Sequence, residues 1–176
     1  KEKIYNMKPW RCQICGETYL GSDAPDRCPY CGALSKNLVS SAEYIDYGVV
    51  EMSEQSEEDI KYALQLEMNN AAFYKKCADN AENQISKSIF KRLGKHESEH
   101  AELLADMLGI DEGDLPEVDI PESDTERFEE AHDHEQDAIN FYLKVSKNAP
   151  EPRVREVFAA LSDIELEHLN MSNIYK

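Results

Sequence analysis

The sequence predicts a mainly α protein, a four-helix bundle preceded by a small four-cysteine domain. Three features carry that prediction. Glu97-Ser98-Glu99-His100 returns as Glu165-Leu166-Glu167-His168, an offset of 68 that also relates Glu67 to Glu135 without a gap. Two C-x-x-C pairs, Cys12/Cys15 and Cys28/Cys31, stand near the start with twelve residues between them. From Glu54 onward Gly and Pro are scarce except at three breaks, and Ile60, Ala63, Leu64, Glu67, Ala71 and Tyr74 recur at helical spacing.

A chain of 176 residues is long enough to bury one good core and carry a small second module. Its net charge of −17 argues against nucleic acid and anionic membranes as partners, since both would repel it. No apolar run approaches the roughly 18–20 residues of a membrane span, and no signal-peptide core opens the chain. The expected location is cytoplasmic. There the cysteine pairs favour a metal over disulfides.

Residues 1–40 form the expected four-cysteine domain. Gly16 and Gly32, each directly after a pair, free the backbone to turn its amides toward sulfur. Four thiolates make a tetrahedral site that suits zinc or iron, and the metal supplies folding energy a domain this small lacks in apolar burial. Trp10, Tyr19 and Tyr30 are expected to supply an apolar shell. Either a structural zinc ribbon or a single redox iron satisfies the spacing. Residues 41–53 read as a linker, and the stretch 33–53, which holds the apolar patch Tyr47-Gly48-Val49-Val50, is expected to include one short strand.

Residues 54–176 read as the bundle, broken near Glu82–Gln84, at Gly109–Pro121 and at Pro150–Pro152. Ser123 with Glu126 forms a capping box for the third helix, and Pro152 suits the first turn of the fourth. The midpoint of Glu67 and Glu97 is residue 82, and that of Glu135 and Glu165 is residue 150, so both fall in short turns. Each antiparallel pair therefore brings its two Glu to one height, about 22 Å from the turn at 1.5 Å per residue. The connection Gly109–Pro121 can extend to about 40 Å, enough to cross the bundle's length as in ferritin-like folds.

One Glu on each of two helices and Glu-x-x-His on the other two is the pattern of ferritin-like dinuclear iron or manganese sites. Residues three apart on a helix share a face, so Glu97 converges with His100 and Glu165 with His168. Four carboxylates balance two divalent cations, and two imidazoles complete the shell. The expected ligands are Glu67, Glu97, His100, Glu135, Glu165 and His168, with Glu97 and Glu165 bridging. Tyr74 and Tyr142, each seven residues after a ligand Glu, either donate to a ligand carboxylate or merely pack. His96 has Ile164 as its repeat partner and is expected at the surface. Cys77 is expected to be a small core residue.

A C-x-x-C-G…C-P-x-C-G module joined to a duplicated E…E-x-x-H bundle resembles the rubrerythrins. With the module N-terminal, the order resembles the reverse rubrerythrin arrangement. The resemblance implies an iron at Cys12, Cys15, Cys28 and Cys31, with zinc the alternative. It implies a di-iron peroxidase that reduces hydrogen peroxide to water with electrons relayed from that iron and drawn from a reductase or other electron-donor protein. A ferroxidase that handles iron is the rival reading. Many rubrerythrins carry a seventh carboxylate one turn after the third-helix ligand, where this chain has Ala138. His132, one turn before Glu135, is the candidate substitute. If the four-cysteine site lies at one end of its own bundle, the dinuclear site is about 20 Å away by helix rise, so a homodimer or higher homo-oligomer is expected to bring a partner's site closer.

Overall fold

A computed structural model describes residues 5–175. The expected outer limits, Lys1 and Lys176, lie outside the described residues. Three short strands come first: β1 (Lys8–Cys12), β2 (Thr18–Gly21) and β3 (Leu38–Ser40). They form one antiparallel sheet in the order β2-β1-β3, with Trp10 opposite Tyr19 and Cys12 opposite Leu38. The Trp10 indole N–H donates to the Gly21 carbonyl at 3.0 Å. Trp10, Tyr19 and Tyr30 are only partly buried, and the fully enclosed apolar groups beside the cysteines are Ile14, Ala33 and Leu38.

The short strand expected within residues 33–53 is β3, and residues 44–53, the Tyr47–Val50 patch among them, are irregular chain. Val50 N–H bonds the Met107 carbonyl at 3.1 Å, so this segment runs along a helix end instead of pairing with the sheet.

The bundle follows as α1 (Glu54–Asp79), α2 (Gln84–Leu108), α3 (Asp124–Asn148) and α4 (Pro152–Tyr175). Ser53 and Asn83 cap α1 and α2 by accepting from Ser56 and Ser86 N–H. Ser123 and Glu126 form the reciprocal capping box of α3. Gly109 ends α2 in the left-handed conformation, with φ of +69°, where glycine bears no Cβ penalty.

Three acidic side chains tie the hairpins α1–α2 and α3–α4 together. Glu82, in the first turn, accepts from Asp124 N–H at 2.9 Å, while Asp124 accepts from Glu82 N–H at 2.9 Å. Glu151, in the other turn, accepts from Ser53 N–H at 2.5 Å and from Ser56 Oγ–H at 2.6 Å. Each turn thus anchors the start of the first helix in the opposite hairpin, where exposed N–H groups and the helix dipole favour a carboxylate. Arg127, 5% exposed, locks the crossover by donating to the carbonyls of Asn80, Pro121 and Glu122 and to Asp124.

The four-cysteine module does not sit at the bundle's end. It packs against the side, on α2 and α4, at the height of the ligand-type histidines. Cys12, Ile14, Cys31, Ala33 and Leu38 share one apolar core with Ala101, Leu104 and Ile164. Arg27 reaches Asp163 at 3.0 Å, and Gly32 lies against both Ile164 and His96. Burial of the module's apolar face on α2 and α4 is what draws it there, and it removes the distance argument for a partner subunit.

Candidate metal centre

Heptad-like burial of α1 to α4 turns one carboxylate from each helix into the bundle axis. Glu67, Glu97, Glu135 and Glu165 are all 0% exposed, as is His100, and His168 is 3% exposed. His100 Nδ1 lies 3.1 Å from Glu97, 3.4 Å from Glu67 and 3.4 Å from Glu165. His168 Nδ1 lies 3.2 Å from Glu97 and 3.4 Å from Glu165. Glu97 and Glu165 are therefore the two carboxylates that touch both imidazoles. Each uses different oxygens for the two: Glu97 Oε2 faces His100 and Oε1 faces His168, and Glu165 divides likewise. Glu67 lies on the His100 side, while Glu135 groups with Glu97 and His168.

Two tyrosines cross the bundle to hold the outer carboxylates. Tyr74, on the helix of Glu67, donates to Glu135. Tyr142, on the helix of Glu135, donates to Glu67 at 2.5 Å. Both rings are fully enclosed. Ser172 adds a second donor to Glu135 at 3.1 Å. Of the two readings for these tyrosines, donation is the one the geometry supports.

Burial and like charge make this cluster costly without cations. Burial, then the Glu97 and Glu165 charges, push the Glu67 carboxyl well above its usual range. Burial raises Glu135 to about 8, the Glu165 charge adding to it against the opposing pull of His168. Burial also acts upward on Glu97, but His168 and His100 outweigh it and hold this carboxyl low. Burial would lower both histidines, yet the facing carboxylates raise them well above the usual imidazole range.

The orphaned atoms test whether metal fits. Glu67 Oε2, Glu97 Oε1, both Glu165 oxygens and His168 Nδ1 are buried with no hydrogen bond. Unpaired buried polar atoms are costly, and these converge on one interior space. One atom from each of Glu67, Glu97, His100 and Glu165 lies within 4.8 Å of the others, as does one from each of Glu97, Glu135 and His168. An oxygen-rich, two-imidazole set of this kind suits two divalent transition metals.

The second set is Cys12, Cys15, Cys28 and Cys31, whose sulfurs also fall within 4.8 Å of one another. Cys12 and Cys31 sulfurs are 3.8 Å apart, as are those of Cys15 and Cys28. Gly16 and Gly32 hold φ of +82° and +90°, closing each knuckle through N–H bonds to Cys12 and Cys28 carbonyls at 2.8 and 2.9 Å. Ala33 N–H points at Cys31 sulfur at 3.4 Å.

Two expectations need correction. His96 is not a surface residue: it is half-buried, and its Nδ1 lies 3.0 Å from His168 Nε2. The docked module flanks it, since a Cβ on Gly32 would stand 3.4 Å from its ring. His132 does not take the place of the carboxylate missing at Ala138. Its side chain is 26% exposed and faces Asp133 at 3.8 Å, and the residues whose ligand atoms gather with Glu135 are Glu97 and His168. Ala138 itself is buried and inert. Cys77 is buried among Phe73, Tyr74 and Phe90.

Sequence reasoning missed His96, Ser172 and the Cys31 carbonyl, which lies 2.8 Å from His100 Nε2. The repeat could not flag the first two, whose partners in it are Ile164 and Leu104.

Comparison with known families matches residues 10–37 to the family described as "Rubrerythrin, rubredoxin-like domain" and residues 58–173 to the one described as "Rubrerythrin". The chain is also 27% identical over 114 residues to "Reverse rubrerythrin-1" of Clostridium acetobutylicum, an alignment covering 58% of this chain. It spans 63% of that relative's length. No solved structure matches significantly. Among the described residues, no helix is long and apolar enough to cross a membrane.

Proposed function

The chain belongs to the rubrerythrin family, and from that premise we propose that it is a non-haem di-iron peroxidase that reduces hydrogen peroxide to water. One observation carries the reading. The His100 ring, facing three of the buried carboxylates through Nδ1, is hydrogen-bonded through Nε2 to the backbone of Cys31 in the four-cysteine set. A zinc ribbon that only props up a fold has no need of that link, whereas an electron-supplying iron has.

Glu67, Glu97, His100, Glu135, Glu165 and His168 would hold two irons, and the four cysteines one more. Iron bound in the bundle would supply the two electrons needed to cleave the O–O bond of peroxide. The chain's own residues set the conditions for this. Glu97 and Glu165 each span the two imidazoles. Tyr74 and Tyr142 fix the outer carboxylates from the opposite helix, so these oxygens do not swing freely. The fully enclosed walls, Tyr74, Tyr142, Phe158 and Leu161 among them, exclude bulk water and larger oxidants. The His100 side, where the ring meets the Cys31 backbone, is the one that would receive electrons from an external donor protein.

Stopped-flow oxidation of the fully reduced, iron-loaded protein tests the proposal. Hydrogen peroxide should re-oxidise the bundle site much faster than dioxygen, because two ferrous ions hold the electrons peroxide needs and half of those dioxygen needs. Comparable rates, or faster oxidation by dioxygen, would favour the ferroxidase reading. A Cys12→Ser variant should leave the first oxidation intact and stop repeated turnover. Undiminished turnover in that variant would make the N-terminal module structural.

A further inference from the structure

We propose that His96 is a positioning residue: its Nδ1 accepts the Nε2–H of His168 and so fixes the tautomer that keeps His168 Nδ1 open toward Glu97 and Glu165. The inference rests on reading the buried cluster as metal-binding.

On the opposite side of the cluster, His100 Nε2 lies 2.8 Å from the Cys31 carbonyl. A carbonyl only accepts, so His100 carries a proton on Nε2, which leaves Nδ1, among the carboxylates, as the nitrogen a metal would take. His168 stands in the same frame, one repeat later, with Nδ1 against Glu97 and Glu165. It is 3% exposed, so its Nε2–H also needs a protein acceptor. The atom within reach is His96 Nδ1, at 3.0 Å, with the two rings tilted by 30°. The reverse sense, His96 donating to His168, would put the His168 proton on Nδ1 and close it to metal. Imidazole ligands are commonly oriented this way by an acceptor on their far nitrogen.

The repeat explains why His96 has no twin. Positions 96 and 164 both flank Gly32 of the docked module, since a Cβ on Gly32 would meet Ile164 Cγ2 and the His96 ring. On the His100 side the module itself provides the acceptor, a backbone carbonyl. The His168 side depends on a side chain, and a substitution can remove it.

Cobalt(II) titration of the intact protein reads the effect without turnover, thiolate charge-transfer bands marking the four-cysteine site separately. Wild type should take up two further cobalt ions. His96→Leu should weaken one of those two by about 10- to 100-fold. His96→Asn, whose Oδ1 stands near the place of Nδ1, should restore most of the loss. In the zinc-loaded protein, nitrogen-15 histidine spectra should place the His168 proton on Nε2. Equal affinity in wild type and His96→Leu would overturn the inference while leaving the metal centre standing. So would an Asn variant as weak as Leu, or a His168 proton on Nδ1. Failure of wild type to bind cobalt outside the cysteines would overturn both.

Discussion

His100 Nε2 donates to the carbonyl oxygen of Cys31 at 2.8 Å, joining a buried bundle histidine to a cysteine of the N-terminal module within one chain. Electron transfer should therefore need no second subunit. Reduction of the bundle site after a reductant pulse should proceed at the same rate across a dilution series that carries the protein into its monomeric form. A rate that falls in step with subunit dissociation would mean that the working contact lies between chains.

Gly32 is where the module seats on the bundle. A Cβ there would meet Ile164 Cγ2 at 3.1 Å and His96 at 3.4 Å, and the backbone φ of +90° is one that only glycine adopts readily. Gly32→Ala is expected to slow reduction of the bundle site at least tenfold while the absorption of an iron-loaded four-cysteine site persists. Asp163→Asn provides the contrast. It removes a half-exposed ion pair to Arg27, worth at most about 1 kcal/mol, so its effect should be small. Equal effects from the two would show that the seating is electrostatic instead of steric.

Metal loading should depend on pH in a direction the carboxylates set. Ligands must shed their protons to bind metal. Burial raises Glu135 to about 8, so it retains its proton near neutrality in the metal-free protein, and burial shifts Glu67 in the same direction. Apparent affinity should then rise with pH and approach a plateau above about 8, proton release accompanying each addition. Stability of the metal-free protein should run the other way. A carboxyl raised in the fold contributes most below its ordinary value of about 4.3 and loses that contribution as pH climbs through about 8. Calorimetric titration in buffers of different ionisation enthalpy, with thermal melts of the metal-free form, checks both signs. An affinity flat across this range would show that the carboxylates are already ionised.

The ligand residues were legible because a helix keeps its period through a gapless duplication. Glu67 and Glu135, Glu97 and Glu165, and His100 and His168 occupy equivalent sites in two hairpins whose turns fall midway between their glutamates. Ser123 with Glu126 announced α3 for the same local reason. What the chain did not disclose depends on contacts between distant segments. Nothing near Gly32 states that it will rest on Ile164 and His96, since that follows from how two separately formed apolar faces meet. His96 and Ser172 sit where the repeat is broken, so the symmetry that found the ligands concealed their supports. The short strand expected within 33–53 formed at Leu38–Ser40 because that stretch pairs with β1, while Tyr47–Val50 is drawn to the end of α2, a division that only contacts with distant segments decide.

Tyr74 and Tyr142 offer the most direct test of the bundle's internal symmetry. Each donates to the outer carboxylate borne by the other's helix, Tyr74 to Glu135 and Tyr142 to Glu67. Phenylalanine retains the ring and its packing and removes only the donor. The two losses are not equal, because Glu135 keeps a second donor in Ser172 while Glu67 Oε2 has no hydrogen bond at all. Tyr142→Phe should accordingly be the more damaging, weakening metal binding by about 10- to 100-fold. Tyr74→Phe should fall at the lower end of that range, and Tyr74→Phe combined with Ser172→Ala should match Tyr142→Phe. In the loaded protein, a hydrogen bond to a charged group is worth about 1.5–3 kcal/mol, so thermal stability should drop in the same order. Metal titrations and melts on the three variants and the wild type decide it. Equal losses from the two single substitutions would mean that the serine does not share the load on Glu135. No loss from either would show that the tyrosines only pack.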